Sequence, residues 1–243
     1  MEEKLTLKGK VTINGKIKLE SGIHIGGTKE TLKIGGMDNP VIKDKNDNIF
    51  IPGSSLKGKI RSLLEKKDGK IKFDGRGNAL PCDCGGCEIC KIFGPHDSKN
   101  IKEPVRIIVR DAYLELNGKK PYEYLEVKPE NTIDRVKGTT IKGGIRNIER
   151  VVAGSEFNFE IVFNIYKNED KNLIKKFIEG MKLLEDDYLG GCGSRGYGKI
   201  KFKDIMLIHK PKAYYEGDKN AITVEKNIHD VEELYSKVEK LTL

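Results

Sequence analysis

Residues 189–202, LGGCGSRGYGKIKF, constrain the fold of this chain more than any other stretch, because five glycines fall within nine residues. Glycine is disfavoured inside helices and strands. It is kept where the backbone adopts positive φ angles or where a ligand lies against the main chain. A helical pattern precedes this stretch and an alternating strand pattern follows it. The sequence therefore predicts a loop between a helix and a strand, used either as a binding loop or as a simple turn.

Three binding motifs overlap in this loop. The glycine spacing fits a dinucleotide motif at residues 191–196 and most of a P-loop at residues 193–199. Both motifs need a strand before the loop and a helix after it, and the order here is reversed. Residues 195–202, RGYGKIKF, come closer to the RNA-recognition signature, with Lys199 in place of an aromatic residue. The loop is therefore a candidate for RNA binding.

The rest of the chain supplies the elements of an α+β fold. Residues at helical spacing predict one helix after residue 53 and another over residues 170–186. Apolar alternation predicts strands, and these lie near residues 5–19, 105–116, 157–165 and 199–208. The order strand, helix, strand, strand, helix, strand is the ferredoxin-like βαββαβ topology, which RNA-recognition domains also use.

We therefore predict an RNA-recognition-like core over residues 1–209 with large insertions. The three inserts lie at about residues 21–51, 66–104 and 117–154, and the last of them is predicted to be a long hairpin or thumb. Residues 210–243 are predicted to form a C-terminal extension with one helix, for which the sequence gives no function.

The charge balance favours a polyanionic partner. The 243 residues include 45 Lys and Arg against 37 Asp and Glu, a formal net charge of +8. Many charged residues are also typical of thermophile surfaces, so charge alone is weak evidence. We find no apolar run that fits a membrane span and no signal-peptide pattern, and we expect a cytoplasmic protein with no membrane partner.

Residues 52–64, PGSSLKGKIRSLL, predict the start of a basic helix. We expect Ser54 or Ser55 to cap it, and the cations Lys57 and Arg61 lie off its apolar face. A helix start with free N–H groups beside lysine is a suitable phosphate site. The alternative is that the serines only cap the helix and the cations are solvated.

Four of the five cysteines fall within nine residues, which indicates a metal site rather than a disulfide framework. We predict that they bind a structural Zn²⁺ that staples the insert, with His96 as a possible substitute ligand. An iron–sulfur cluster is the rival, although Gly94 stands where the fourth cysteine of a ferredoxin motif would fall. Unliganded thiols are a third possibility. The predicted ligands are Cys82, Cys84, Cys87 and Cys90.

Two further side chains are candidates for chemistry. Asp38 lies in the long early loop, where its carboxylate could act as a general acid or bind magnesium, or could only form an Asx turn. His24 lies in a glycine-rich, basic setting and could act on a 2′-hydroxyl, although a lone histidine is more often structural. The residues alone lead no further than a basic, zinc-stapled, RNA-recognition-like domain.

Taken together and in order, seven blocks of the sequence resemble the backbone RAMP subunit of the type III-A (Csm) CRISPR interference complex. The resemblance covers about residues 5–208 and leaves the C-terminal 35 residues uncovered. The blocks are IHIGG at 23–27, MDNPVIKD at 37–44, IPGSSLKGKIRSLL at 51–64, CEICKIFG at 87–94, RDAYL at 110–114, EVKPENTIDR at 126–135 and LLEDDYLGGCGSRGYGKI at 183–200.

The resemblance implies an RNA-guided endoribonuclease that is active within the assembled complex. Copies of such a subunit stack along the spacer part of a CRISPR RNA, beside other RAMP and small subunits. The thumb of each copy splays a base from the guide–target duplex. The aspartate that aligns with Asp38 is needed for cleavage of the complementary target RNA, which depends on Mg²⁺ or another divalent cation.

The guide contacts implied by the resemblance fall on His24, Ser54, Ser55, Lys57, Arg61, Lys128, Asn131, Arg135, Ser194 and Arg195. We add Gly193 and Gly196 of the loop, where RNA would lie close to the backbone. Two alternatives stay open. The chain could be a purely structural RNA-binding subunit, or a metal-independent enzyme that trims precursor CRISPR RNA with His24.

Overall fold

The structure is a computed structural model that describes residues 5–27 and 39–243. The strands are β1 (Gly9–Leu19), β2 (Phe50–Ile51), β3 (Lys72–Phe73), β4 (Ala79–Leu80), β5 (Ile107–Val109), β6 (Ala112–Leu114), β7 (Leu125–Ile133), β8 (Thr140–Val151), β9 (Glu156–Ile165), β10 (Ile200–Pro211) and β11 (Thr223–Ile228). The α-helices are α1 (Gly53–Lys67), α2 (Glu88–Phe93), α3 (Asp170–Glu185), α4 (Lys212–Tyr215) and α5 (Val231–Lys240).

The main sheet carries its strands in the order β11-β10-β1-β9-β6-β2, and β5 also pairs with β9. Strand β1 is central and runs antiparallel to both β9 and β10. When β5 and β6 are taken as one interrupted strand, the core strands lie in the spatial order fourth, first, third, second. This is the ferredoxin-like arrangement, so the predicted α+β fold with βαββαβ order is confirmed.

A bulge in β10 explains why its burial pattern changes phase. Ile200 and Phe202 are buried before the bulge, and Ile205 and Leu207 are buried after it. The register with β1 slips at this point, and Asp204 adopts a positive φ of 51°. Because side chains alternate between the two faces of a strand, the extra residue keeps both apolar pairs on the core side.

Helices α1 and α3 cover one face of the sheet and touch each other. A Cβ at Gly180 of α3 would lie 2.6 Å from a methyl carbon of Ile60 of α1, so the two helices approach closely there. Apolar residues at helical spacing turn one side of each helix to the strands. Their buried side chains are Leu56, Ile60, Leu63, Leu64, Leu173, Ile174, Phe177, Ile178, Met181 and Leu184.

The single strand predicted over residues 105–116 is wrong in one respect, because Arg110 and Asp111 divide it into β5 and β6. The division turns Asp111 toward helix α1, where its Oδ1 accepts the backbone N–H of Gly53 at 2.7 Å. Gly53 packs so closely that a Cβ there would lie 2.4 Å from the carbonyl oxygen of Val109. Apolar residues flank the break on both sides, so the periodicity of the sequence does not predict it.

Strands β7 and β8 form a two-stranded hairpin of their own, within the excursion predicted at residues 117–154. Asp134 closes the turn of this hairpin, because its carboxylate accepts the backbone N–H groups of Val136 and Lys137, each at 2.9 Å. Within residues 66–104, β3 and β4 form a short ribbon, and α2 follows the first three cysteines of the cluster.

The last part of the chain adds a strand as well as the predicted helix. Strand β11 pairs with β10 at the edge of the main sheet. Helix α5 packs against α3, with Val231, Leu234 and Val238 buried. In residues 5–27 and 39–243, no helix combines the length and the apolar character that a membrane span needs.

Candidate nucleic-acid interface and metal centre

The glycine-rich loop between α3 and β10 is bonded to the segment that follows β1. The backbone N–H of Gly191 donates to the carbonyl oxygen of His24 at 2.8 Å, and that of Gly198 donates to Gly22 at 3.0 Å. These bonds place His24 beside the loop, although the two are far apart in the sequence. Two of the predicted site elements therefore lie together.

The same loop contacts the base of the β7–β8 hairpin. Arg195 forms an ion pair with Glu130 of β7, and its Nη2 donates to the Sγ of Cys192 at 2.7 Å. Lys128 Nζ donates to the carbonyl oxygen of Arg195 at 3.4 Å. The exposed loop residues Ser194 and Arg195 thus share one surface with Lys128.

Tyr197, the aromatic residue of the RGYG sequence, lies beneath this surface rather than on it. It is 1% exposed, and burial raises its pKa to about 12, so the phenol is neutral at physiological pH. Lys128 Nζ lies 4.5 Å and Arg150 Cζ 4.9 Å from the ring centroid. The ring is therefore not free to stack on a base, and it holds two cations on the surface above it.

Tyr188 fixes the loop against helix α1, and sequence reasoning missed it. Lys59 Nζ lies 3.6 Å from the centroid of the Tyr188 ring and 3.2 Å from a carboxylate oxygen of Asp187. A Cβ at Gly193 would lie 2.0 Å from the ring, so the backbone of Gly193 packs flat on it. No local pattern links Lys59 to Tyr188, because the contact joins two separate elements.

Glu149 of β8 orients His24 and holds the end of the early loop. The carbonyl oxygen of Glu149 accepts a hydrogen bond from His24 Nδ1 at 2.7 Å. Its backbone N–H donates to the carbonyl oxygen of Asn39 at 3.2 Å, and its carboxylate accepts the N–H of Val41 at 2.8 Å. Glu149 therefore contacts both His24 and residues 39–41. Asp38, the predicted catalytic residue, lies outside the described residues.

The predicted serine cap of helix α1 is wrong. The helix begins at Gly53 after an N-cap at Pro52, and neither Ser54 nor Ser55 bonds to the helix start. The reason is that Asp111, from the break between β5 and β6, already accepts the N–H of Gly53. Ser54 is consequently exposed and free to meet a ligand.

The two predicted cations of α1 have different surroundings. Burial lowers the pKa of Lys57, and the nearby Arg61 lowers it further. Arg61 points toward the cysteines, because its Nε donates to Glu65 at 2.8 Å and its Nη2 to the carbonyl oxygen of Cys82 at 2.9 Å. Lys57 is therefore the better candidate for the predicted phosphate site, because the guanidinium of Arg61 is already bonded to other groups.

The remaining predicted contacts lie along the hairpin. Asn131 Nδ2 donates to the hydroxyl of Thr140 at 2.8 Å and ties the two strands together. Arg135 is exposed in the connection between β7 and β8. The hairpin thus extends the surface of Lys128 and Arg195 outward, with an exposed cation beyond the end of β7.

The four clustered cysteines converge as the sequence predicts. Sγ of Cys82 lies 3.7 Å from those of Cys84 and Cys87, and Sγ of Cys84 lies 3.9 Å from that of Cys90. Four sulfurs about 2.3 Å from one tetrahedral ion would be roughly 3.8 Å apart, so the donor set fits a single metal ion. The His96 ring is not part of this group, which is complete without it.

The surroundings of the four sulfurs differ, and they shift the pKa values of the thiols in opposite directions. The backbone N–H groups of Gly86 and Cys87 lower the pKa of Cys84 to about 6. Burial raises the pKa of Cys87 to about 12 and also raises that of Cys90. The backbone N–H of Cys90 donates to the Sγ of Cys87 at 3.4 Å, which orients this sulfur toward the others.

Gly198→Ala is expected to destabilise the folded chain by roughly 2 kcal/mol or more. Gly198 has a φ of 76°, and a Cβ there would lie 2.0 Å from the carbonyl oxygen of Leu189. Gly196→Ala is the matched control, because Gly196 has a φ of 85° with nothing within 4 Å of the added carbon. It should lose only about 1 kcal/mol. Urea unfolding measures both, and equal losses would contradict the close backbone contact at Gly198.

The chain is similar to known proteins over nearly its whole length. A family model described as "RAMP superfamily" matches residues 16–201. The chain is 73% identical over 240 residues to the "CRISPR system Cms endoribonuclease Csm3" of Methanocaldococcus jannaschii, and the match covers 98% of this chain and 97% of that protein.

Two solved structures share the fold. A chain in the "Crystal structure of Csm3-Csm4 subcomplex in the type III-A CRISPR-Cas interference complex" is 55% identical, with a TM-score of 0.71 and 98% coverage of both chains. The "Methanopyrus kandleri Csm3 crystal structure" is 22% identical, with a TM-score of 0.64 and 97% coverage of both chains, and supports the fold alone.

Proposed function

Because this chain belongs to the RAMP superfamily, we propose that it is the endoribonuclease subunit of a type III-A CRISPR interference complex. It holds the spacer part of a CRISPR RNA as a repeated filament subunit and cuts the complementary target RNA at regular intervals. One observation carries the proposal: the glycine-rich loop, the start of α1, the hairpin base and His24 meet on one basic face. The relative at 73% identity bears an endoribonuclease name, which supports the reaction class.

The guide RNA contacts are assigned to polar side chains on or beside this face. Lys128 and Arg195 contact phosphates where the loop meets the hairpin, and Ser54 and Lys57 do so at the start of α1. Ser55, Asn131, Arg135, Ser194 and the backbone at Gly193 and Gly196 complete the path. His24 reads the ribose or a phosphate with its free ring nitrogen, since Nδ1 is bonded to Glu149.

The cleavage is assigned to Asp38, which the resemblance aligns with a required aspartate. Asp38 assists in-line attack by the 2′-hydroxyl next to the scissile phosphate. The bond from the 2′-oxygen to phosphorus forms as the 2′-hydroxyl proton passes to a base. The bond to the 5′-oxygen breaks as that oxygen takes up a proton, which leaves a 2′,3′-cyclic phosphate and a 5′-hydroxyl. A bound divalent cation supplies charge stabilisation at the phosphate. The cation requirement stays a prediction, since Asp38 lies outside the described residues.

The cysteine cluster is assigned to structural Zn²⁺. All four ligands are thiolates and their spacing suits one tetrahedral ion, which leaves no open position for substrate. Tetrahedral sulfur ligation also suits iron, so metal analysis decides the element.

The partners proposed for the chain are CRISPR RNA, target RNA, further copies of itself, and other RAMP and small subunits. The cytoplasmic location expected from the sequence stays a prediction.

Arg195→Glu tests the RNA-binding face. Affinity for two unrelated single-stranded RNAs should fall alike, and each lost phosphate contact should lower the slope of log K against log salt by about 0.7. Lys212→Glu is the matched control, because Lys212 follows β10 at the end opposite to the glycine loop, roughly 35 Å from Ile200. Binding is measured across a salt series. A preference for one RNA, or equal effects of the two variants, would place the RNA path elsewhere.

A further inference from the structure

Glu65 is a buried carboxylate of helix α1 that faces the cysteine cluster, and it is 4% exposed. Its Oε1 accepts the backbone N–H of Cys82 at 2.8 Å and the Nε–H of Arg61 at 2.8 Å. Arg61 Nη2 donates in turn to the carbonyl oxygen of Cys82 at 2.9 Å. Two side chains of one helix therefore hold both backbone polar groups of Cys82.

This arrangement fixes the position of one sulfur in the cluster. Cys82 is 2% exposed, and its Sγ lies 3.7 Å from two of the other three sulfurs. A metal site tolerates ligand distances only within about 0.2 Å of their preferred values. Rotation of the Cys82 backbone would carry its Sγ out of this range, and the bonds to Glu65 and Arg61 oppose that rotation.

A buried ion pair is not needed merely to stabilise a helix. Desolvation of two charges offsets much of their attraction, and apolar replacements are often as stable. A different gain is expected beside a metal, where hydrogen-bonded partners of the ligands set the ligand geometry and affinity. The pair formed by Arg61 and Glu65 contacts a cysteine of the cluster, so its position suits that role.

We propose that Glu65 and Arg61 are positioning residues that hold Cys82 as a metal ligand and couple the metal centre to helix α1. The inference rests on the metal centre proposed above. It changes the role of Arg61, which the resemblance placed among the guide contacts. Arg61 acts here through Cys82 and not through a phosphate.

The coupling reaches the RNA-binding face because α1 is a single continuous helix. Glu65 lies twelve residues after Gly53, which is about 18 Å along the helix axis. Lys57 and Lys59 lie between these two residues, and Lys59 contacts Tyr188 under the glycine-rich loop. Loss of the metal should therefore loosen one end of a helix whose other end faces the RNA.

The test compares metal affinity in purified, zinc-loaded full chains of wild type, Glu65→Ala and Glu65→Gln. A chelator competition measures the zinc dissociation constant. We expect Glu65→Ala to bind zinc roughly 10- to 100-fold more weakly, and Glu65→Gln to show a smaller loss because its amide oxygen still accepts one hydrogen bond. If Glu65→Ala does not fold, Glu65→Gln decides the outcome.

Glu185→Gln is the matched control. Glu185 is a similarly buried carboxylate at the end of α3, and it accepts the backbone N–H of Phe202 at 2.8 Å and a bond from Lys201 at 3.0 Å. In EDTA, where no metal is bound, the two glutamine variants should lower the melting temperature alike. Only the variant at Glu65 should change the zinc affinity.

Arg61→Gln adds a readout that separates positioning from RNA contact. We expect weaker zinc binding with an unchanged salt slope for RNA, whereas a lost phosphate contact would lower that slope by about 0.7. A wild-type chain that binds no metal overturns the metal centre itself. If the wild-type chain binds zinc, and Glu65→Ala and Glu65→Gln bind it as tightly as wild type, the metal centre stands and the positioning role of Glu65 is overturned.

Discussion

Asp38→Asn in the assembled complex is expected to lower the rate of target RNA cleavage by about 10²- to 10⁴-fold while target binding stays unchanged. Asparagine keeps the shape of the side chain, but it can neither accept the 2′-hydroxyl proton nor bring negative charge to a divalent cation. The measurement is single-turnover cleavage of a labelled complementary RNA, with binding followed separately on uncleavable RNA.

Asp47→Asn is the matched control for this variant. Asp47 is an exposed aspartate with a φ of 62°, and asparagine tolerates that conformation. It should cut at the wild-type rate. If the Asp38 variant binds and still gives the full ladder of products, the catalytic assignment fails, and another residue must supply the chemistry.

Cys87→Ser combined with Cys90→Ser should remove the metal and unfold the insert around it. Each replacement deletes a thiolate ligand, and the binding energy of a structural metal is folding energy for the segment that it staples. We expect bound zinc to fall from about one equivalent to near zero, and the free energy of unfolding to drop by roughly 3 kcal/mol or more. Elemental analysis and thermal unfolding with and without EDTA measure both effects.

Cys192→Ser provides the control for cysteine chemistry, since Cys192 lies in the glycine-rich loop outside the cluster. It should keep its zinc, and EDTA should lower its melting temperature as it does for wild type. Iron in the purified protein would contradict a structural zinc ion. So would a wild-type melting temperature that EDTA does not change.

The features that could be predicted from the sequence are local ones. The spacing of the glycines and of the four cysteines predicts the loop and the metal site, because each of these features is built from residues close together in the chain. The order of elements followed from apolar periodicity, and it was sufficient for the ferredoxin-like topology. The bulge at Asp204 also leaves a trace, since buried residues change from even to odd positions along β10.

The features that could not be predicted join distant parts of the chain. Ser54 is a residue type that often caps helices, but the helix begins before it. Asp111, between β5 and β6, accepts the N–H of Gly53 at the helix start. The helical spacing of Arg61 predicts a surface cation, yet its guanidinium donates to Glu65 and to the carbonyl oxygen of Cys82. The contact of Lys59 with Tyr188 has no sequence signal, because it depends on how helix and loop pack.

The most direct test of the central claim, that this chain cuts RNA opposite the guide that it binds, is to map the ends of the products. The complex is purified with a guide RNA of known sequence and given complementary or scrambled RNA, in Mg²⁺ or in EDTA. We expect evenly spaced cuts only when the RNA is complementary and Mg²⁺ is present. The products should carry 5′-hydroxyl ends, as in-line attack by the 2′-hydroxyl requires. An intact complex that binds the complementary RNA in Mg²⁺ and leaves it whole would contradict the account.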